Sequence, residues 1–240
     1  MRITYSILAL TIVLFSSCGY FGGERIYGDG KVVTQQRSSG SFNSVDVSGG
    51  IQVHVRQDAT NSVKVEADQN LLEFIDVYTE GNTVVVKERR GYNLQPSRDI
   101  VVYVSAPAFK DIDVSGACDI IGDNVISGTE ELSMHVSGSG DIIMQVALAK
   151  VHADISGAGS IQLKGQATDF TAEVSGSGDV KCFDLVTDNT QLDLSGSSEV
   201  EVTANKQLNV EASGSSSVHY KGAANVSQRI SGAGSVKKVG

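Results

Sequence analysis

One phrase recurs seven times between Lys110 and Val236, and its spacing leaves few folds open. It reads Val114-Ser-Gly-Ala-Cys-Asp-Ile120, Val136-Ser-Gly-Ser-Gly-Asp-Ile142, Ile155-Ser-Gly-Ala-Gly-Ser-Ile161, Val174-Ser-Gly-Ser-Gly-Asp-Val180, Leu194-Ser-Gly-Ser-Ser-Glu-Val200, Ala212-Ser-Gly-Ser-Ser-Ser-Val218 and Ile230-Ser-Gly-Ala-Gly-Ser-Val236. The serines stand at 115, 137, 156, 175, 195, 213 and 231, so the steps are 22, 19, 19, 20, 18 and 18 residues. A near-fixed period of this size marks a solenoid, in which each repeat stacks on the last.

Around each phrase the chain alternates. Val114, Val136, Ile155, Val174, Leu194, Ala212 and Ile230 share one position, and Ile112, Met134, Ala153, Ala172, Leu192 and Val210 stand two residues earlier. Between them lie Asp113, His135, Asp154, Glu173, Asp193, Glu211 and Arg229. Period-two alternation means strand, one face inward and one outward. A hairpin meander would not return the same columns in the same order every 18 to 22 residues. Stacked coils would, at about 4.8 Å per rung. The expected fold is therefore all-β, a single-stranded parallel β-helix of 18–22 residues per coil.

The Ser-Gly corners suit such a coil, because a sharp turn demands positive φ or close backbone approach, both cheap for glycine. A phosphate-cradling loop is the competing reading. It needs a helix N-terminus after the loop, and no helical pattern follows any copy.

The front of the chain has a different character. Arg2 precedes an apolar run, Ile3 to Phe15, too short to span a bilayer but suited to a secretory signal, so residues 1–17 read as a signal peptide. Phe15-Ser16-Ser17-Cys18 resembles a bacterial lipobox, with Phe15 where Leu is usual, and makes Cys18 the expected lipid anchor. Gly19 leaves no acidic retention signal after it, which favours the outer membrane. The alternative is ordinary signal cleavage with Cys18 as a stray thiol. Residues 18–41 are Gly-rich and polar and read as a flexible spacer, with Lys31 to Thr34 able to start a strand.

Residues 42–240 form the expected folded domain. Its first part alternates less regularly, with strands expected at 42–47, 51–56, 63–67, 74–78, 83–88 and 99–105, read as wider coils of the same helix. One excursion, Glu88 to Arg98, concentrates arginines in an acidic chain. It makes Arg89, Arg90, Tyr92 and Arg98 the candidate contact loop.

The Ser-Gly-x-Gly-Asp corners, with the Ala-Pro-x-x-x-x-Ile-x-Val-Ser-Gly stretch from Ala106 to Gly116, resemble the head GIN domain family of auto-transporter adhesins, common in lipoproteins of Bacteroides-like bacteria. The resemblance covers Phe42 to Val236. It implies a right-handed β-helix and little about function beyond the adhesin label, and no catalytic residues come with the motif; no cofactor is expected. An auto-transporter carries a membrane barrel after its passenger, whereas Lys237 to Gly240 follow the last corner here, so surface display would rest on the Cys18 lipid.

Little else in the chain speaks for chemistry. Cys118 and Cys182 fall three rungs apart, about 14 Å at strand spacing, too far for a disulfide. His54, His135, His152 and His219 share neither a column nor a metal-ligand spacing. Asp154, Glu173, Asp193 and Glu211 should stack on consecutive rungs, and Asp119, Asp141, Asp179 and Glu199 crowd the corner column. Calcium bridging would offset the repulsion, which makes the first four a candidate cation column; hydration and reach to Lys164 or Lys181 is the plainer account. The formal charge is −9, and loss of Arg2 with the signal takes it to −10, which disfavours nucleic acid.

A β-helix can also be a polysaccharide-active enzyme, but such a site needs converging carboxylates and aromatic platforms. Trp is absent, aromatics are 6%, and the acids form regular columns. The sequence favours a non-catalytic surface module binding a glycan or protein ligand. An envelope structural or sensing protein with a protein partner is the alternative.

Overall fold

Alternating aliphatics become strands wherever they occur in the computed structural model, which describes residues 23–239. The strands are β1 (Glu24–Tyr27), β2 (Val32–Arg37), β3 (Ser44–Gly49), β4 (Gln52–Gln57), β5 (Ser62–Asp68), β6 (Ile75–Glu80), β7 (Thr83–Glu88), β8 (Tyr92–Gln95) and β9 (Val101–Ala106). The repeats supply β10 (Asp111–Gly116), β11 (Asp119–Ser127), β12 (Glu131–Gly138), β13 (Asp141–Gly157), β14 (Ser160–Gly176), β15 (Asp179–Gly196), β16 (Glu199–Gly214), β17 (Ser217–Lys221), β18 (Asn225–Gly232) and β19 (Ser235–Lys238). One 3₁₀ turn, Leu72–Phe74, interrupts them.

From β10 onward every coil lies in parallel on its neighbour, and the Cα partners follow the sequence columns. Val114 stands opposite Val136, then Ile155, Val174, Leu194, Ala212 and Ile230 in turn. Ile120, Ile142, Ile161, Val180, Val200, Val218 and Val236 do the same after the corner. The fold is a parallel β-solenoid, as its repeats require. Most of these side chains are buried, and each stabilises the stack by roughly 1.5–3 kcal/mol. At each corner the glycine takes positive φ, and the next residue donates its N–H to a glycine carbonyl one rung back, as from Ala158 to Gly138 at 2.8 Å.

The N-terminal part departs from the expected run of wider coils. The rung β3–β4 sits between β10–β11 on one side and β7–β9 on the other, so spatial order and chain order differ. Beyond that, β5 runs antiparallel to β9, β2 antiparallel to β5, and β6 antiparallel to β7. A solenoid end exposes both a strand edge and an open core, and antiparallel strands folded across it cover both. Phe42, Leu71, Ile75, Ile100 and Phe109 fill that end and are buried.

The stretch expected as spacer joins this cap. β1 pairs in parallel with β8, and β2 pairs along its whole length with β5, so the chain belongs to the body from Glu24 onward. The signal sequence and Cys18 lie outside the described residues.

Cys118 and Cys182 are unbonded and buried, three rungs apart as their positions in the repeat demand. Burial pushes the Cys118 thiol up to about 11 and the Cys182 thiol up to about 12. The thiolate is the reactive form, so both should be inert. A fragment starting at Glu24 is expected to release no thiol to a disulfide reagent at pH 8 when native, and two after denaturation. Rapid reaction of either in the native fragment would contradict this packing.

Candidate functional site

Five adjacent strands where the cap meets the solenoid, in the order β2, β5, β9, β4 and β11, present outward side chains to one face. Lys64 stands opposite Tyr103, and Tyr103 opposite His54, so the three lie side by side across neighbouring strands. Ser62, Ser105 and Arg56 form the next row in the same way. They line a groove of about 410 Å³ that also takes in Thr34, Asp58 and Asp123.

A bulge completes it. Between Ile121 and Val125, β11 advances four residues while β13 advances only two, from Ile143 to Gln145. The extra residues push outward, as bulges do, and bring the Asp123 carboxylate to 2.7 Å from His54 Nδ1. Asn124 and Gln57 hold the bulge in place: the Asn124 amide donates to the Gln57 carbonyl and its oxygen accepts the Gln57 N–H, both at 2.9 Å. The Gln57 side chain in turn donates to the carbonyls of Pro107 and Ser127 and accepts the Ser127 N–H.

The groups around the groove differ in how far they are already satisfied. Asp123 has His54, and Asp58 accepts the Ala59 N–H at 2.7 Å. Arg56 reaches only Asp58, at 4.0 Å, and Lys64 has no carboxylate within ion-pair distance among the described residues. Tyr103 is 37% exposed and its ring leans on the His54 imidazole, with centroids 5.3 Å apart. Sequence spacing alone did not single this site out. The one trace of it was the 22-residue step between Ser115 and Ser137, longer than its neighbours by about the length of the bulge.

The candidate contact loop is placed differently from the expectation. Residues 92–95 are strand β8, and the segment is braced: Arg89 donates to Asp76 at 2.9 Å, Tyr92 packs on Phe74 with centroids 4.6 Å apart, and Leu94 is buried. Arg90 and Arg98 stay exposed.

The acidic column aligns as the repeat requires. Asp154, Glu173, Asp193 and Glu211 are successive partners, with His135 3.6 Å from Asp154 at one end and Arg229 3.3 Å from Glu211 at the other. Among the described residues no three metal-ligating side chains converge on one point. Further along, Asp113 is partly buried beside Asp46 and Asp111; burial raises its carboxyl most, His135 opposes this, and the two acids raise it further. In the corner column the carboxylates turn to the backbone instead of to each other. Asp141 accepts the Ser160 N–H and hydroxyl at 2.9 and 2.7 Å, and Asp179 accepts the Glu199 N–H at 3.2 Å. Bonds of this kind to carboxylate acceptors offset like-charge crowding. Lys181 reaches Asp179 at 4.0 Å, while Lys164 goes to Asp184 at 3.7 Å.

Solved structures share this architecture. A protein described as a "putative lipid binding protein" from Parabacteroides distasonis superposes with a TM-score of 0.75 at 23% identity, covering 90% of this chain and 100% of that one. A "putative adhesin" from Bacteroides fragilis gives 0.79 at 19% identity, over 89% and 100%. A second "putative adhesin" from P. distasonis gives 0.71 at 23%, over 90% and 100%. No match was found among curated proteins. The family model described as "Putative auto-transporter adhesin, head GIN domain" matches residues 41–224, most of the chain and all but the last coil of the solenoid. The chain belongs to the auto-transporter adhesin head GIN domain family.

Proposed function

We propose that this protein is a non-catalytic binding module of the cell envelope, held to the outer membrane by acyl chains such as palmitate on Cys18 and making contact through the groove around Tyr103 and His54. The observation that carries the reading is the grouping in that groove of two cations and a partly exposed aromatic ring on neighbouring strands. In the groove, cations and an aromatic ring face solvent with few partners. Membership of an adhesin family supports a surface role, as does the adhesin description of the B. fragilis structure.

Anchoring at Cys18 would set the body close to the membrane. β1 begins at Glu24, six residues after Cys18, a separation no chain can stretch beyond about 20 Å. Cys18→Ser is expected to move the protein from the membrane to the soluble fraction and to abolish incorporation of a palmitate analogue. A soluble fragment from Glu24 is expected to bind glycan- or matrix-coated surfaces. Unchanged fractionation of the Cys18 variant would refute the anchor; turnover of a polysaccharide would refute the non-catalytic reading.

A further inference from the structure

The groove's chemistry also indicates what occupies it, an inference that rests on the contact role just proposed. We infer that it binds an acidic saccharide unit, a hexuronate or similar carboxylated sugar, with the pyranose ring over Tyr103 and the carboxylate between Lys64 and Arg56. The Tyr103 ring lies at the centre of the floor, between Lys64 on β5 and His54 on β4. Tilted against the imidazole at 30°, it leaves one flank to solvent. An exposed aromatic platform held by a neighbour suits the apolar face of a sugar ring, which loses water on both sides when it stacks.

The charge balance then selects among sugars. The groove carries two acids, a histidine, an arginine and a lysine, yet both acids have short contacts and the arginine and lysine do not: Asp123 has His54 and Asp58 the Ala59 N–H, against Arg56 at 4.0 Å from its single partner, Asp58, and Lys64 with none among the described residues. A ligand that completes these interactions brings a carboxylate. A guanidinium takes it in bidentate fashion and an ammonium adds a point charge. The remaining polar groups, the Ser62 and Ser105 hydroxyls 3.0 Å apart and Asp58 at the mouth, suit sugar hydroxyls, which donate and accept. The floor is rigid, since β5, β9, β4 and β11 are each paired on both sides and the bulge bearing Asp123 is clamped by Gln57, so little ordering is needed on binding.

The test uses the fragment from Glu24 and calorimetric or NMR titration with oligogalacturonate and oligoglucuronate, alongside their methyl esters and a neutral hexose oligomer. Binding of an acidic oligomer, weakened roughly tenfold by esterification, by Lys64→Gln or by Tyr103→Leu, is the expected result. Arg56→Gln should act like Lys64→Gln, and both lie at exposed positions where folding is unaffected, which circular dichroism will verify. Equal affinity for acid and ester would overturn the carboxylate assignment. Acid-selective binding that survives all three substitutions would overturn the placement in this groove. If no sugar binds in titration while the fragment still adheres to coated surfaces in a manner abolished by Lys64→Gln and Tyr103→Leu together, the saccharide class is wrong and the contact role stands. If the fragment adheres to nothing, the contact role itself fails.

Discussion

Gly157→Ala is expected to lower the melting temperature by roughly 10 °C, whereas Gly128→Ala, also at a positive-φ glycine, is expected to lower it by only a few degrees. Gly157 is a corner glycine in the middle of the stack, with φ 142°, a conformation nearly closed to residues with a Cβ. A Cβ there would also drive into the carbonyl of Gly138 on the rung before, and that oxygen is already holding the Ala158 N–H at 2.8 Å. The clash is with backbone, and the rung cannot yield without lengthening the hydrogen bonds on both sides. Strain and overpacking together cost about 4 kcal/mol, which for a chain of this size is roughly 10 °C. Gly128 has φ 77° but nothing within 4 Å of its Cβ position, so only the backbone term remains, about 1–2 kcal/mol. Thermal melts by circular dichroism separate the two cases. Equal losses would mean that conformation alone, and not rung-on-rung contact, selects glycine at the corner.

That contact explains why the repeats were legible in the sequence and the cap was not. Each corner must satisfy the corner beside it, so Val136, Ile155 and Val174 are forced into the same position of successive coils and the pattern appears as a period. The separation of Cys118 from Cys182 followed from the same register. The six strands expected between residues 42 and 109 are all present, but alternation has the same period whether a strand pairs in parallel or antiparallel, so it could not show that β5 turns back on β9. β2 was legible only at its start, Lys31 to Thr34, because most of its side chains are exposed and the polar stretch that contains it looked like a spacer. The groove was hidden for a related reason. His54 meets Tyr103 and Asp123 only because β9 and β11 lie on either side of β4, out of chain order, and local patterns do not carry that order. The arginine-rich excursion was legible in its exposed arginines, Arg90 and Arg98, but not in its strand. Its composition suggested a solvated loop, while Tyr92 and Leu94 turn inward and make it part of the cap.

The cap is expected to depend on one buried carboxylate, and Asp68→Asn should loosen it in a pH-dependent way. Asp68 is 1% exposed and accepts three hydrogen bonds from two distant segments: the Gly30 N–H at 2.8 Å, the Ser97 N–H at 2.8 Å and the Ser97 hydroxyl at 2.6 Å. It thereby ties the turn between β1 and β2 to the chain leaving β8. The Ser97 hydroxyl does most to hold its carboxyl below the usual carboxylate range, burial opposes this, and the Ser97 and Gly30 N–H groups add to the lowering. Because the folded value lies below the unfolded one of about 3.9, the contribution is fully present above that value. It is lost as pH falls through the folded value. At pH 7 the asparagine variant gives up the charge on all three bonds, costing about 2–4 kcal/mol. The opening should stay local, since β1 and β8 form a separate two-stranded sheet and β2 lies at the outer edge of its own. Hydrogen exchange is expected to speed up across residues 24–37 and 89–100 while the solenoid from β10 onward keeps its protection. As pH falls below the unfolded value the gap between wild type and variant should narrow, because the unfolded chain takes up the proton first and the folded carboxylate follows at lower pH. A difference of the same size at pH 3 and pH 7 would mean that Asp68 acts through shape and not through charge.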